Sequence, residues 1–348
     1  MGGNALRSCN LETRRLNAPE FHALCEKLLV AFADTFPGVR IETIPSYNAK
    51  ADFGDLDLLV EREKFIAAGG VEALEAWVSS AGFSRGQVRN GDVTSVEWRD
   101  NPRQEIGFQV DFITSPAKEF DASIAYFSYN DLGNLMGRIA HKMGMVYGHQ
   151  GLLFPMRDST HEFDRIQVCP DAKQSMAFLG YDPARFEKGF NDLIDIYEFV
   201  VSSSYFNRDI YLLENRNHVS RTRDRKRKTY RGFLEWIENR EGLPAYEYPL
   251  DKSEWVPKIK AAFPEFDIAY QESVERLAAR RFVADRFNGE VVSGMTGLTG
   301  QSLSKAMRHI KQTMGSEEIE RRLRADGIEG LREIIDQAAG VASRSPRP

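Results

Sequence analysis

Between Pro45 and Val60 the chain reads PSYNAKADFGDLDLLV, a polar, glycine-bearing turn that runs into an apolar strand carrying two acids. Strand side chains alternate between faces, so Asp55 and Asp57 point the same way while Leu56, Leu58 and Val60 point into the core. Two carboxylates held side by side on a rigid element repel each other unless a cation or a proton is present. Hard oxygen ligands of this kind, completed by phosphate oxygens, are what magnesium accepts. A third acid lies in QEIGFQVDFIT (Gln104–Thr114), where Ile106, Phe108, Val110 and Phe112 form one apolar face and Asp111 falls on the other. A carboxylate in so apolar a strand costs several kcal/mol to desolvate unless it is paired or metal-bound. Strand-end acids of the DxD type are often merely solvated or salt-bridged. The serine-containing turn, the Gly54 before the pair, the apolar strand after it and the third acid together favour a shared divalent-metal site at Asp55, Asp57 and Asp111.

Around this segment the pattern alternates between helix and strand. Phe21, Leu24, Leu28, Phe32 and Phe36 recur at helical spacing from Pro19 to Phe36, and Pro37-Gly38 ends the run. Strands are expected at Val39–Ile44 and Asp55–Val60, a helix at Val71–Ala81, and a strand pair at Val93–Arg99 and Gln104–Thr114 turned by Asn101-Pro102. After Ser115-Pro116 the pattern is mainly helical, with helices over Asp131–Met145, Phe186–Val200, Tyr230–Glu238 and much of Ser253–Ala284. A glycine-rich connection, SGMTGLTG (Ser293–Gly300), leads to helices at Leu303–Met314, Ser316–Arg324 and Gly330–Ala338. The expected architecture is α+β: a small mixed-sheet domain over residues 1–115, a helical region over 116–340, and a small, polar tail at 341–348 that frays.

The 348 residues are enough for about two domains. With 42% hydrophobic and 28% charged residues, a soluble globular protein is expected rather than a disordered or membrane one. Cys9, Cys25 and Cys169 are too few and scattered for a disulfide framework, and the start, MGGNALRSCNLETRRL, has no apolar leader, so a reducing cytoplasmic setting is expected. No Walker-type glycine loop, zinc-type His/Cys grouping or hydrolase triad is present in the sequence.

The acid pattern resembles that of the DNA polymerase beta-like nucleotidyltransferase superfamily: a serine-bearing turn, a strand with two acids, and a third acid on a later strand. The resemblance covers about residues 39–114. The strings SYNAKADFGDLDLLV, MGGNAL and GRIAHKMGMVYGHQGL are further similar to a bacteriophage-encoded branch, which implies the host cytoplasm. The resemblance implies that Asp55 and Asp57, with Asp111 as third ligand or general base, bind two magnesium ions, or manganese in their place, with a nucleoside triphosphate such as ATP. The ions would activate an acceptor hydroxyl and stabilise the departing pyrophosphate. Ser46 then lies where the turn serine contacts phosphate. Pro45 stands where the family has glycine and carries no N–H, so Lys50 and Gly54 are expected to compensate.

Basic residues number 46 and acidic ones 51, a net charge of −5, so any site for nucleic acid has to be local. Arg138 and Lys142, four apart on one helix face, are candidates to grip the triphosphate. The stretch NRNHVSRTRDRKRKTYR (Asn215–Arg231) gathers Arg216, Arg221, Arg223, Arg225, Lys226, Arg227, Lys228 and Arg231 against one acid, Asp224. It is read as a contact to a nucleic-acid backbone. Tyr147 is a candidate base-stacking or packing residue, and Gly2 and Gly3 could bring the N-terminal backbone close to a ligand. The function expected is transfer of a nucleoside monophosphate to a hydroxyl, on an RNA (for example tRNA) or DNA 3′ end. The alternatives are transfer to a protein or small molecule, or nucleic-acid binding without catalysis. No membrane partner is expected, and the oligomeric state is open.

Overall fold

Asn17 opens the first helix: its side chain accepts from the Glu20 N–H, and the Glu20 carboxylate accepts in return from the Asn17 N–H, each at 3.0 Å. The computed structural model describes residues 3–159 and 161–343. Helix α1 (Ala18–Thr35) buries Phe21, Leu24, Leu28 and Phe32, the stripe that its helical spacing predicts. These side chains pack on a five-stranded sheet formed by β1 (Ile41–Thr43), β2 (Asp55–Glu61), β3 (Gln87–Asn90), β4 (Val93–Trp98) and β5 (Phe108–Ser115), in the order β1-β2-β5-β4-β3. Strands β2 and β5 run parallel, and every other pairing in this sheet is antiparallel.

One face of the sheet carries Leu56, Leu58, Val60, Val96, Phe108, Val110 and Phe112, all essentially sealed from solvent against α1 and α2 (Gly70–Ala81). Phe32 and Trp77 approach Phe112 with ring centroids 6.1 and 6.2 Å apart. Burying each such side chain contributes roughly 1.5–3 kcal/mol. A one-residue slip of β2 would bring its acids to this face and its leucines out, so the register is strongly specified.

Beyond the sheet come α3 (Phe120–Phe127), α4 (Leu132–Lys142), α5 (Leu193–Val201), α6 (His218–Arg225) and α7 (Lys228–Glu238). The fold is α+β, with mixed sheets followed by a helical C-terminal region. The expected helix over Phe186–Val200 is divided: Pro183–Glu187 ends before Gly189, which holds φ at 74°, and α5 starts on the Asp192 cap. A three-stranded sheet, Val146–Gly148, Gly151–Asp158 and His161–Cys169, interrupts the region read as mainly helical. The sequence hid it behind Pro155, a residue excluded from most paired strands. Here the short partner strand ends its pairing at Leu153, so Pro155 has no ladder bond to forfeit on that side.

The chain forms two compact units, residues 3–155 with 165–266 and residues 156–164 with 267–343. The change from sheet to helix at residue 115 therefore falls inside the first unit, and the division between units lies near residue 266 instead. Apart from the strand residues within 156–164, the second unit is mainly helical, with a core of Phe287, Val292, Ile310, Ile319, Leu323, Leu331 and Ile335. Part of the expected glycine-rich connection is helical: Gly289–Thr296 forms on the cap of Asn288, whose side chain accepts from the N–H groups of Glu290 and Val291. The two long helical stretches that follow meet at Gly315, φ 74°. The last helix, Arg332–Ser343, takes in residues 341–343 of the expected tail, and residues 344–348 lie outside the described residues.

Candidate metal centre

The parallel register of β2 and β5 sets Asp57 directly beside Asp111 and Asp55 beside Gln109, on the sheet face away from the apolar core. One carboxylate oxygen from each of Asp55, Asp57 and Asp111 lies within 4.8 Å of the other two. The period-two alternation that buries Leu56 and Leu58 thus also gathers the three acids, with strands supplying the rigidity.

The electrostatics of this cluster are unfavourable without a cation. Burial, then repulsion from Asp55 and Asp111, pushes Asp57 up to about 8, against the attraction of Lys50. Burial also pushes Asp111 up to about 6, although hydrogen bonds from Ser95 and Gln109 pull the other way. Glu97 on neighbouring β4 offers an internal contrast. It is fully buried, which raises its pKa, yet Arg85 and the Gly107 N–H hold its carboxyl below the ordinary range, with Arg99 Nε also 3.7 Å away. Among the described residues, the fold therefore gives arginines to the acid it neutralises internally and none to the Asp55–Asp57–Asp111 group. An all-carboxylate oxygen set with excess negative charge is of the kind that hard divalent cations such as magnesium or manganese accept.

The raised pKa values have a consequence for stability. An unfolded aspartate ionises near 3.9, whereas native Asp111 keeps its proton to about 6 and Asp57 to about 8. Between about pH 4 and 8 the native state holds more protons than the unfolded state, so stability falls as pH rises through that window. Thermal melts in EDTA should show this fall, and saturating manganese should reverse it at pH 8. A metal-free melting temperature that does not decline relative to that of Asp57→Asn would contradict the strained cluster.

The turn bearing Ser46 is pinned rather than loose. Asn48 and Ala49 donate backbone hydrogen bonds to the carbonyls of Phe190 and Asn191 (2.9 and 2.7 Å), and Tyr129 donates to Pro45 O (2.9 Å). Ser46 is half-buried and its hydroxyl has no hydrogen-bond partner among the described residues. Lys50 sits with its ammonium 4.5 Å from the Phe53 ring centroid. Its pKa is lowered by burial, against the opposing pull of Asp55 and Asp57.

Other candidates fare differently. Arg138, expected to grip phosphate, is buried, and its Nε and Nη2 both donate to Ile210 O at 3.0 Å, so the fold does not present it as a surface cation. Lys142 remains half-buried at the end of α4. Tyr147 is buried edge-on to Tyr126, a packing role. Within the basic stretch, Arg216 is buried against Asp224, Arg221 donates to Arg216 O, Arg223 bonds Asp224 and Asn134, and Arg227 pairs with Asp131. Arg225, Lys226 and Lys228 are exposed, with no side-chain partner among the described residues.

Two further features shape the site, and of these only the approach of Gly3 is among the sequence expectations. Tyr129 and Asn130 both hold positive φ (58° and 62°) beside the Pro45 turn; asparagine adopts this region readily, whereas tyrosine does so rarely. Gly3 lies across the acid strand: its N–H donates to Asp55 Oδ2 at 3.0 Å, and a Cβ on it would sit 2.3 Å from Gly54 O. Gly54 is therefore packed under the N-terminal backbone, and Gly2 lies outside the described residues. The MGG start was the available signal. No family model matches the chain, and no curated protein matches it.

Proposed function

We propose that the protein is a metal-dependent nucleotidyltransferase of the polymerase beta-like kind, which moves a nucleoside monophosphate from a nucleoside triphosphate to a hydroxyl. The observation that carries this reading is the group of three acids on two adjacent parallel strands, without arginine partners among the described residues, in a sheet where Glu97 has two. Asp55, Asp57 and Asp111 would hold the divalent ions. When bound, these supply Lewis-acid polarisation of the phosphoryl oxygens and a lowered pKa for the acceptor hydroxyl.

The chain's own residues supply position. Strands β2 and β5 fix the three carboxylates, and Lys50 adds positive charge beside Asp55 and Asp57. Ser46 offers an unspent hydroxyl on a pinned turn. For the acceptor we favour a nucleic-acid 3′ end, supported by the exposed trio Arg225, Lys226 and Lys228; among the described residues no helix is long and apolar enough to cross a membrane. Assignment to the bacteriophage-type branch rests on the strings SYNAKADFGDLDLLV, MGGNAL and GRIAHKMGMVYGHQGL alone.

The test incubates the protein with magnesium, each α-labelled nucleoside triphosphate, and RNA, DNA or protein acceptors. Label is expected on nucleic acid, with binding whose log–log salt slope drops by about one for each of Arg225, Lys226 and Lys228 replaced by Gln. Label on protein or on a small molecule would reassign the acceptor. Salt-sensitive nucleic-acid binding with no label on any acceptor would leave a binding protein.

A further inference from the structure

The described chain begins in contact with the acid cluster, and that contact is built in. Leu6 is fully buried, Leu11 N–H donates to Leu6 O (3.2 Å), Arg14 N–H donates to Gly107 O (2.8 Å), and the Thr13 hydroxyl donates to Gly3 O (2.8 Å). From this anchored segment two backbone N–H groups reach the site. Gly3 N–H takes Asp55 Oδ2 at 3.0 Å, and Ala5 N–H donates to Gln109 Oε1 at 2.9 Å.

Gln109 transmits the second contact. It is 2% exposed, and its Nε2 lies 3.0 Å from both oxygens of Asp111. The orientation of this amide follows from chemistry: a backbone N–H can face only the carbonyl oxygen, so the NH₂ must face Asp111. Asp111 is thereby held by an amide that is itself held by Ala5, while Gly3 occupies one oxygen of Asp55 and leaves the other for a ligand.

We propose that residues 3–5 and Gln109 are positioning residues of the metal centre, aiming Asp55 and Asp111 so that cation affinity depends on the N-terminal backbone. This rests on the metal reading above and adds to it that an apolar-anchored segment, 52 residues before Asp55 at Gly3 and 104 before Gln109 at Ala5, completes the site. Gly3 is required on two counts: its φ of 83° disfavours any side chain, and the added Cβ would strike the Gly54 carbonyl.

Manganese titration followed by electron paramagnetic resonance of free and bound ion, with far-ultraviolet circular dichroism as a fold check, tests it on the full chain. Gly3→Ala and Gln109→Met should each weaken manganese binding about 10- to 100-fold, with an altered bound-ion spectrum and an unchanged fold. Affinity within about twofold of wild type for both variants would overturn the proposal while leaving the metal site standing, provided Asp57→Asn has lost binding. If wild type takes up no manganese, or Asp57→Asn binds as well as wild type, the metal reading fails and this one with it. Should Gly3→Ala not fold, Gln109→Met decides alone.

Discussion

Asp57→Asn is expected to silence nucleotide transfer and, at the same time, to raise the melting temperature of the metal-free protein at pH 8. The two effects have one origin. Asp57 stands between Asp55 on its own strand and Asp111 on the next, with Lys50 as the nearby cation. Burial and the two neighbouring carboxylates favour its neutral form. Asparagine keeps the shape and removes the charge, so the metal-free variant no longer bears the cost that wild type accumulates as pH rises. A gain of about 1 kcal/mol would move the melting temperature by roughly 2–4 °C for a unit of 150–250 residues. The same neutral side chain is a poor ligand for a hard cation, and losing several kcal/mol of transition-state stabilisation lowers the transfer rate about a thousandfold or more. Scanning fluorimetry in EDTA and a labelled-nucleotide assay read the two limbs separately. A variant that melts lower and transfers normally would assign Asp57 a structural role, as in an ordinary solvated strand end.

The contrast with Glu97 explains how much of this centre was legible from sequence. The alternation in DLDLLV and in FQVDFIT specifies which face each acid takes, because the opposite assignment would drive Leu56, Leu58, Val110 and Phe112 into water. The acid cluster follows once those two strands are neighbours. Which acids the fold neutralises internally does not follow, since Arg85 reaches Glu97 from the segment before β3 and no spacing rule links them. Arg138 shows the same limit. Its helical spacing with Lys142 is a surface pattern, yet Ile210, 72 residues away, supplies the carbonyl that draws it inward. Periodicity reports what one element shares along its own length. Gly3, Gln109 and the Tyr129–Asn130 pair act through contacts between distant elements, and a single sequence carries only faint marks of those.

Asp224→Ala is expected to cost about 3–5 kcal/mol of stability, the range for removing one partner of a buried pair. Asp224 is fully buried, and Arg216, 2% exposed at its side chain, meets it at 2.7 Å. Arg216 also donates to the Tyr230 hydroxyl (2.7 Å), which donates in turn to Tyr211 O (2.8 Å). Without Asp224 a guanidinium is left in a sealed environment where Arg138 is already close enough for mutual repulsion. Urea denaturation measures the loss. A cost below about 1 kcal/mol would mean that water or a rearranged neighbour replaces the carboxylate. The double variant Asp224→Ala, Arg216→Met should recover much of the loss, because the buried guanidinium that Asp224 neutralises is then gone as well, and recovery would separate the ion-pair cause from a simple cavity. The pair also bears on what the basic stretch does. Arg216 is neutralised by Asp224, and Arg227 by Asp131. The positive field available to an external phosphate therefore comes mainly from Arg225, Lys226, Lys228 and the exposed Arg231, so a stretch that reads as one basic patch divides into an internal brace and a surface set.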